Sequence, residues 1–143
     1  MPDTSYKNET IARQILKDEI KGNVQAALEK MHKKYSMTWV YKRRDGVLFP
    51  RIDSAKIRKE LEDVYIIKGR HYDIKHLLSQ NNVVMIEMVE SYPDPKTPKK
   101  VYRTPLVLVL EFKDGKVFKG RHYCDPQLSY ELLTEDKVNE IYK

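Results

Sequence analysis

The sequence predicts an α+β fold, with helices first and a strongly bent, mostly antiparallel sheet after them. Three observations predict it. Apolar residues near the N-terminus recur at helical spacing, in Ile11, Ile15, Leu16 and Ile20. From Tyr72 onward the chain breaks into four strand-length runs separated by turn residues. Two of these runs are joined by Asp114-Gly115, the strongest short hairpin signal a sequence carries.

Each element follows in order. Thr4 or Ser5 can cap the first helix, and Lys21-Gly22-Asn23 ends it. Val24, Ala27, Leu28 and Met31 mark a short second helix. Residues 35–41 alternate and are rich in aromatic and β-branched side chains, so they form a first strand. Residues 44–50 read as a loop, and Asp53 or Ser54 as the cap of a third helix through Ile57, Leu61 and Val64. Four strands are expected over 72–78, 83–92, 101–112 and 117–125. Asn81-Asn82 turns the first pair, and the proline-rich stretch 93–98 bridges the second. The tail, 128–143, has a helical pattern. The 143 residues fit one domain: helices and the first strand over 1–66, the meander over 70–125, and a C-terminal tail over 126–143.

Composition narrows the function classes. The chain is 41% hydrophobic and 34% charged, as for an ordinary globular domain, and its longest apolar run, Leu106 to Leu110, is strand-sized. No membrane partner is expected. The N-terminus is polar, and one cysteine, Cys124, precludes an internal disulfide, so a cytoplasmic location is expected. The net charge of +6 is spread over scattered lysines and arginines. No recognition helix, zinc spacing or glycine-aromatic motif accompanies it, which argues against a nucleic-acid partner. No phosphate loop, metal-ligand spacing or serine elbow is found, so neither a cofactor nor a metal is expected. A short segment, Lys68-Gly-Arg-His-Tyr-Asp73, echoes Lys119-Gly-Arg-His-Tyr-Cys-Asp125; two copies do not make a repeat architecture.

Alternation decides which residues can share a face. Glu90 goes with Met88, Ile86 and Val84; Thr104 goes with Leu106, Leu108 and Leu110. These two sets are the expected apolar wall of a pocket. Asp125, at the expected end of the last strand, shares its face with Tyr123 and Arg121, leaving His122 and Cys124 on the other. A lone carboxylate against an apolar wall suits a general acid or base; the alternative is a cap on the turn at Gln127. Glu90 can pair with it or be an edge charge. His76, among Tyr72, Ile74 and Leu78, is the histidine placed to reach the pocket as a proton carrier; a partly buried structural histidine is the other reading. His32, beside Lys33-Lys34, reads as solvated. Trp39 and Tyr41 share a face and can stack on a planar ligand or pack the helices.

The element order, the Asp-Gly-Lys turn and the Arg121-His122-Tyr123-Cys124-Asp125 ending resemble the SnoaL-like branch of the nuclear-transport-factor-2-like superfamily. The resemblance covers nearly the whole chain. It implies a cone-shaped α+β fold whose open end is a deep apolar pocket, shared by polyketide cyclases, ketosteroid isomerases, limonene-epoxide hydrolases and many non-enzymes. Against the limonene-epoxide hydrolases, Glu87-Met88-Val89-Glu90 stands where that group has Glu-Arg-Val-Asp. Asp125 keeps the terminal acid, Glu90 matches the other, and Met88 replaces the arginine between them. Tyr41 can match the water-positioning tyrosine, but no asparagine does. The resemblance therefore implies a cofactor-free cyclase or isomerase acting on an apolar, carbonyl-bearing small molecule, with Asp125 moving the proton. Tyr41, His76 or Tyr123 would hold the developing enolate oxygen. The alternative it allows is a non-catalytic ligand-binding or dimerisation module. Val107 and Val109 face away from the wall set, so a homodimer through the outer face of the sheet is expected.

Overall fold

In a computed structural model the chain is described over residues 4–143. Helix α1 (Ser5–Lys21) presents Ala12, Ile15 and Leu16 as a buried stripe and ends at Gly22, whose left-handed φ of 75° lets its backbone N–H close on Asp18 and Glu19. Ile20, expected on that stripe, is exposed. Helix α2 (Val24–Glu29) is capped by the Asn23 side chain, which accepts from Ala26 N at 3.1 Å. Strand β1 (Met31–Trp39) begins four residues earlier than expected and leaves Tyr41 beyond its end. Met31 opens this strand rather than closing α2. His32 is buried, not solvated: its Nε2 lies 3.4 Å from Asp114 and its ring packs edge-on against Phe118.

The expected loop is a hairpin arm returning to a short strand β2 (Arg51–Asp53), which pairs antiparallel with β1. Helix α3 (Ile57–Tyr65) is preceded by Lys56 with no side-chain cap; Asp53 instead accepts from Ala55 N at 3.1 Å. Four long strands follow: β3 (His71–Gln80), β4 (Val83–Pro93), β5 (Val101–Lys113) and β6 (Lys116–Tyr123). The turn between β5 and β6 has positive φ at Asp114 (54°) and Gly115 (75°), as a two-residue hairpin loop requires.

The strand order is β2-β1-β6-β5-β4-β3, with β1 parallel to β6 and every other pair antiparallel. Register shifts interrupt β3–β4 after Ile74 and β5–β6 after Glu111, where a bulge bends the sheet. The three helices fill the concave face. The core lies between them and the inward sides of β4 and β5, where Val84 and Ile86 are wholly buried.

On the outer face the chain partly covers itself. A short 3₁₀ helix (Pro126–Tyr130), helix α4 (Glu135–Asn139) and a last 3₁₀ turn (Glu140–Tyr142) run back over β5. Arg103 Nη1 donates to Leu133 O at 3.0 Å, and Val138 is buried against the sheet. Among the described residues no helix is long and apolar enough to cross a membrane.

Candidate functional site

The concave face encloses an open-ended cavity of about 340 Å³, walled by apolar side chains including Leu16, Met37, Leu61, Met88, Leu106 and Leu108. That volume holds a small organic molecule. Several elements bring polar groups into this wall.

Helix α1 supplies Glu19. It stands one and two turns beyond Leu16 and Ala12, on the stripe that faces the sheet. Burial pushes its carboxyl up to about 7, against the opposing pull of a hydrogen bond from Tyr72. That bond runs from the Tyr72 hydroxyl on β3 to Glu19 Oε2, and burial likewise holds the phenol well above its ordinary range. Near neutral pH Glu19 therefore gains or loses a proton inside an apolar wall, while Tyr72 keeps its own.

The approach to β3 supplies Arg70. Gly69 turns there with φ of 83°, so close to Pro93 that a Cβ would lie 3.1 Å from the proline ring. A glycine is needed for both reasons. The turn lays Arg70 Nη1 2.7 Å from Glu90 Oε2 on β4, with its guanidinium 4.9 Å from the centre of the Tyr92 ring. Among the described residues, Arg70 Nε is buried without a hydrogen-bond partner.

Strand β6 supplies His122. It sits opposite Trp39 of β1 and Leu108 of β5 in register, 6.4 Å from the Trp39 ring. Burial lowers its pKa and the Glu90 carboxylate partly offsets that, so the imidazole is neutral at neutral pH. Its Nδ1 is buried and has no hydrogen-bond partner among the described residues.

The expected site residues fall into three groups. Glu90, Trp39, Met88, Leu106 and Leu108 line the cavity. Val84, Ile86 and Thr104 are buried beyond its wall. Asp125, His76, Tyr123 and Tyr41 lie outside it. Strand β6 stops at Tyr123, so Asp125 stands two residues past the strand, exposed, where its Oδ1 accepts from Gln127 N at 2.9 Å as the cap of the 3₁₀ helix. His76 is turned outward by the β3 bulge and bonds Glu87 at 2.8 Å. Tyr123 faces out on β6, and Tyr41 lines a shallow groove beside the cavity mouth, which it shares with Trp39.

Two expectations need correction. Alternation on the last strand holds, but the inward face is that of His122 and not that of Arg121 and Tyr123. Met88 leaves Glu90 without an arginine on its own strand, yet Glu90 does have a cation, supplied by Arg70 from the turn that leads into the neighbouring strand.

Glu19, Arg70 and Tyr72 were not anticipated as site residues, and His122, a candidate proton carrier by residue type, was expected on the face turned away from the pocket. A carboxylate on the apolar stripe of α1 was the visible signal for Glu19. Nothing local marked Arg70, because its role depends on strand pairing.

No protein-family model matches the chain, and no curated protein matches it. Solved structures do. A Bacillus subtilis protein provisionally assigned as an isomerase superposes with a TM-score of 0.72 at 18% identity, over 89% of this chain and 92% of the other. An LEH-like epoxide hydrolase of M. tuberculosis gives 0.71 at 13% identity, over 96% of each. A SnoaL-like protein of Shewanella denitrificans, provisionally assigned as a polyketide cyclase, gives 0.69 at 14% identity over 93% and 97%. The chain has the cone-shaped NTF2-like α+β fold. Similarity at this level of identity speaks for the fold alone.

Proposed function

We propose that the protein is a small enzyme that moves a proton on an apolar carbonyl compound bound in the cavity, without a cofactor. One observation carries this reading: His122, Glu90 and the Glu19–Tyr72 pair converge on one apolar-walled space. The exposed Asp125 has no such surroundings.

Roles follow from protonation. Neutral His122 takes a proton from the carbon next to the carbonyl. The imidazolium that forms is stabilised by the Glu90 carboxylate, which Arg70 positions at 2.7 Å. The carbonyl oxygen, gaining charge, accepts a hydrogen bond from the Glu19–Tyr72 pair, whose raised carboxyl keeps a proton available. Returning the proton at a different carbon gives an isomerase; attack of the enolate carbon on a second carbonyl of the same molecule, whose π bond breaks and whose oxygen takes the proton from His122, gives a cyclase. Solved structures of the same fold assigned to isomerases and cyclases support this reading.

A binding role without turnover is the second reading. It is favoured by the two carboxyls already having partners within the chain, Arg70 for Glu90 and Tyr72 for Glu19.

Exchange with deuterated water at the carbon beside the carbonyl, across a panel of cyclic ketones, separates the two. The enzyme reading expects exchange that His122→Phe and Glu19→Gln each abolish and Asp125→Asn leaves intact. Binding without exchange gives the site to the second reading. Exchange lost only in Asp125→Asn returns the role to Asp125.

A further inference from the structure

The charge of the cavity runs opposite to the charge of the protein. The chain carries 27 lysines and arginines against 21 aspartates and glutamates. Yet the cavity wall has three carboxyls, Glu19, Glu60 and Glu90, and a single guanidinium, Arg70, with no lysine. Arg70 is already committed to Glu90 at 2.7 Å. Glu19 is engaged by Tyr72. Glu60 on α3 is the remaining carboxyl, and it has no ion pair or side-chain hydrogen bond among the described residues.

The position of Glu60 is informative. It lines both the cavity and the outer groove, and it shares that double position with Trp39 and Ile52. These three residues are therefore the lip between the two spaces. Tyr41 adds a second ring on the groove side. A free carboxylate beside aromatic rings at the mouth of an apolar cavity is matched to a protonated nitrogen. The carboxylate supplies the ion pair, the ring faces supply cation–π attraction, and a group at the mouth keeps part of its hydration. An anionic ligand finds less at the lip itself, where Glu60 is the charged group shared by the two spaces. Of the two arginines on the groove, Arg43 is closed on Asp45 by hydrogen bonds of 2.9 and 2.8 Å. Arg51 lines the groove and not the cavity.

We propose that the cavity selects apolar amines: an aromatic or alicyclic body against Met88, Leu106 and Leu108, and a protonated nitrogen at the lip between Glu60 and Trp39. This rests on the reading of the cavity as a small-molecule site and names the substrate class for it, a carbonyl compound bearing a basic nitrogen. Carboxylic acids and phosphate esters are disfavoured at this lip, since an anion there would stand beside the Glu60 carboxylate.

Three probes with one ring system test this: tryptamine, tryptophol and indoleacetate, titrated calorimetrically into the full chain. The expected order is tryptamine, then tryptophol, then indoleacetate, with tryptamine at least about tenfold tighter than the acid. In Glu60→Gln, tryptamine should fall to the affinity of tryptophol, while tryptophol is unchanged and so reports an intact cavity. If tryptophol binds but tryptamine binds no tighter, or if Glu60→Gln leaves tryptamine unaffected, the amine inference is overturned and the small-molecule site stands. Indoleacetate as the tightest of the three overturns it also. If none of the three binds, both the inference and the small-molecule reading fall.

Discussion

Arg70 and Glu90 are held 2.7 Å apart across the β3–β4 edge, and the Arg70 side chain is only 5% exposed. Two opposite charges buried this deeply depend on each other. Removing one leaves the other desolvated and unpaired, whereas removing both can be nearly neutral. Arg70→Met is therefore expected to cost about 3 kcal/mol, and the Arg70→Met/Glu90→Gln double variant to recover about half of that. Chemical denaturation of both single variants and the double variant closes the cycle. Additive single effects would mean that the pair is not coupled.

Glu19 ties stability to pH. Its carboxyl rises from an ordinary 4.5 to about 7 on folding. Between those values the folded chain holds a proton that the unfolded chain has lost, so stability falls as pH rises through that window. The expected loss between pH 5 and pH 8 is about 1–3 kcal/mol from this group. In Glu19→Gln that slope should flatten and stability at pH 8 should increase. Denaturation midpoints at the two pH values measure it; an unchanged slope in Glu19→Gln would sink the assignment.

The echoed segment shows what local pattern reading can and cannot reach. The two copies of Lys-Gly-Arg-His-Tyr are used with opposite faces inward. The first sends Arg70 and Tyr72 to the cavity; the second sends His122 there and leaves Tyr123 outside. Alternation correctly grouped the residues of β6 into two faces. Which face was inward is set by pairing with β1 and β5, a long-range fact. The strands and the hairpin at Asp114-Gly115 were legible because their signals are local. The short strand β2 was not, because three residues carry no periodicity. The resemblance led to the fold but drew attention to Asp125, two residues past the end of its strand.

Asp125→Asn is expected to change little. Asparagine caps as well as aspartate, so the bond from Gln127 N survives and the stability change should stay below about 1 kcal/mol. Proton exchange on any true substrate should also persist, since Asp125 is exposed outside the cavity wall. Kinetics and thermal melts of this variant decide between the cap and a catalytic carboxylate.

The homodimer expected from the outer face now has a narrower surface. The C-terminal segment lies over part of β5, but Leu78 is 69% exposed and its cross-strand neighbour Met85 49%. Val107 and Tyr123 are paired across the next strands. An uncovered run of this kind favours self-association through β3–β6. Sedimentation is expected to give a dimer that Met85→Glu converts to a monomer without changing the melting temperature. A monomeric wild type at micromolar concentration would rule this out.

Gly120 backs directly onto a residue of the cavity wall, Met37. It pairs with Met37 on β1 and Leu110 on β5. A Cβ on Gly120 would collide with Met37 Cε and come within 2.9 Å of its Sδ. Met37 lines the cavity, so a shift of its flexible thioether changes the shape of that space. Gly120→Ala is therefore expected to cost no more than about 1 kcal/mol, because the methionine end can shift, and to weaken binding of tryptophol by about tenfold. Adding Met37→Ala should relieve the collision and restore affinity even though the core loses volume. If Gly120→Ala binds tryptophol as the wild type does and melts at the same temperature, the close approach of Gly120 and Met37 does not shape the cavity.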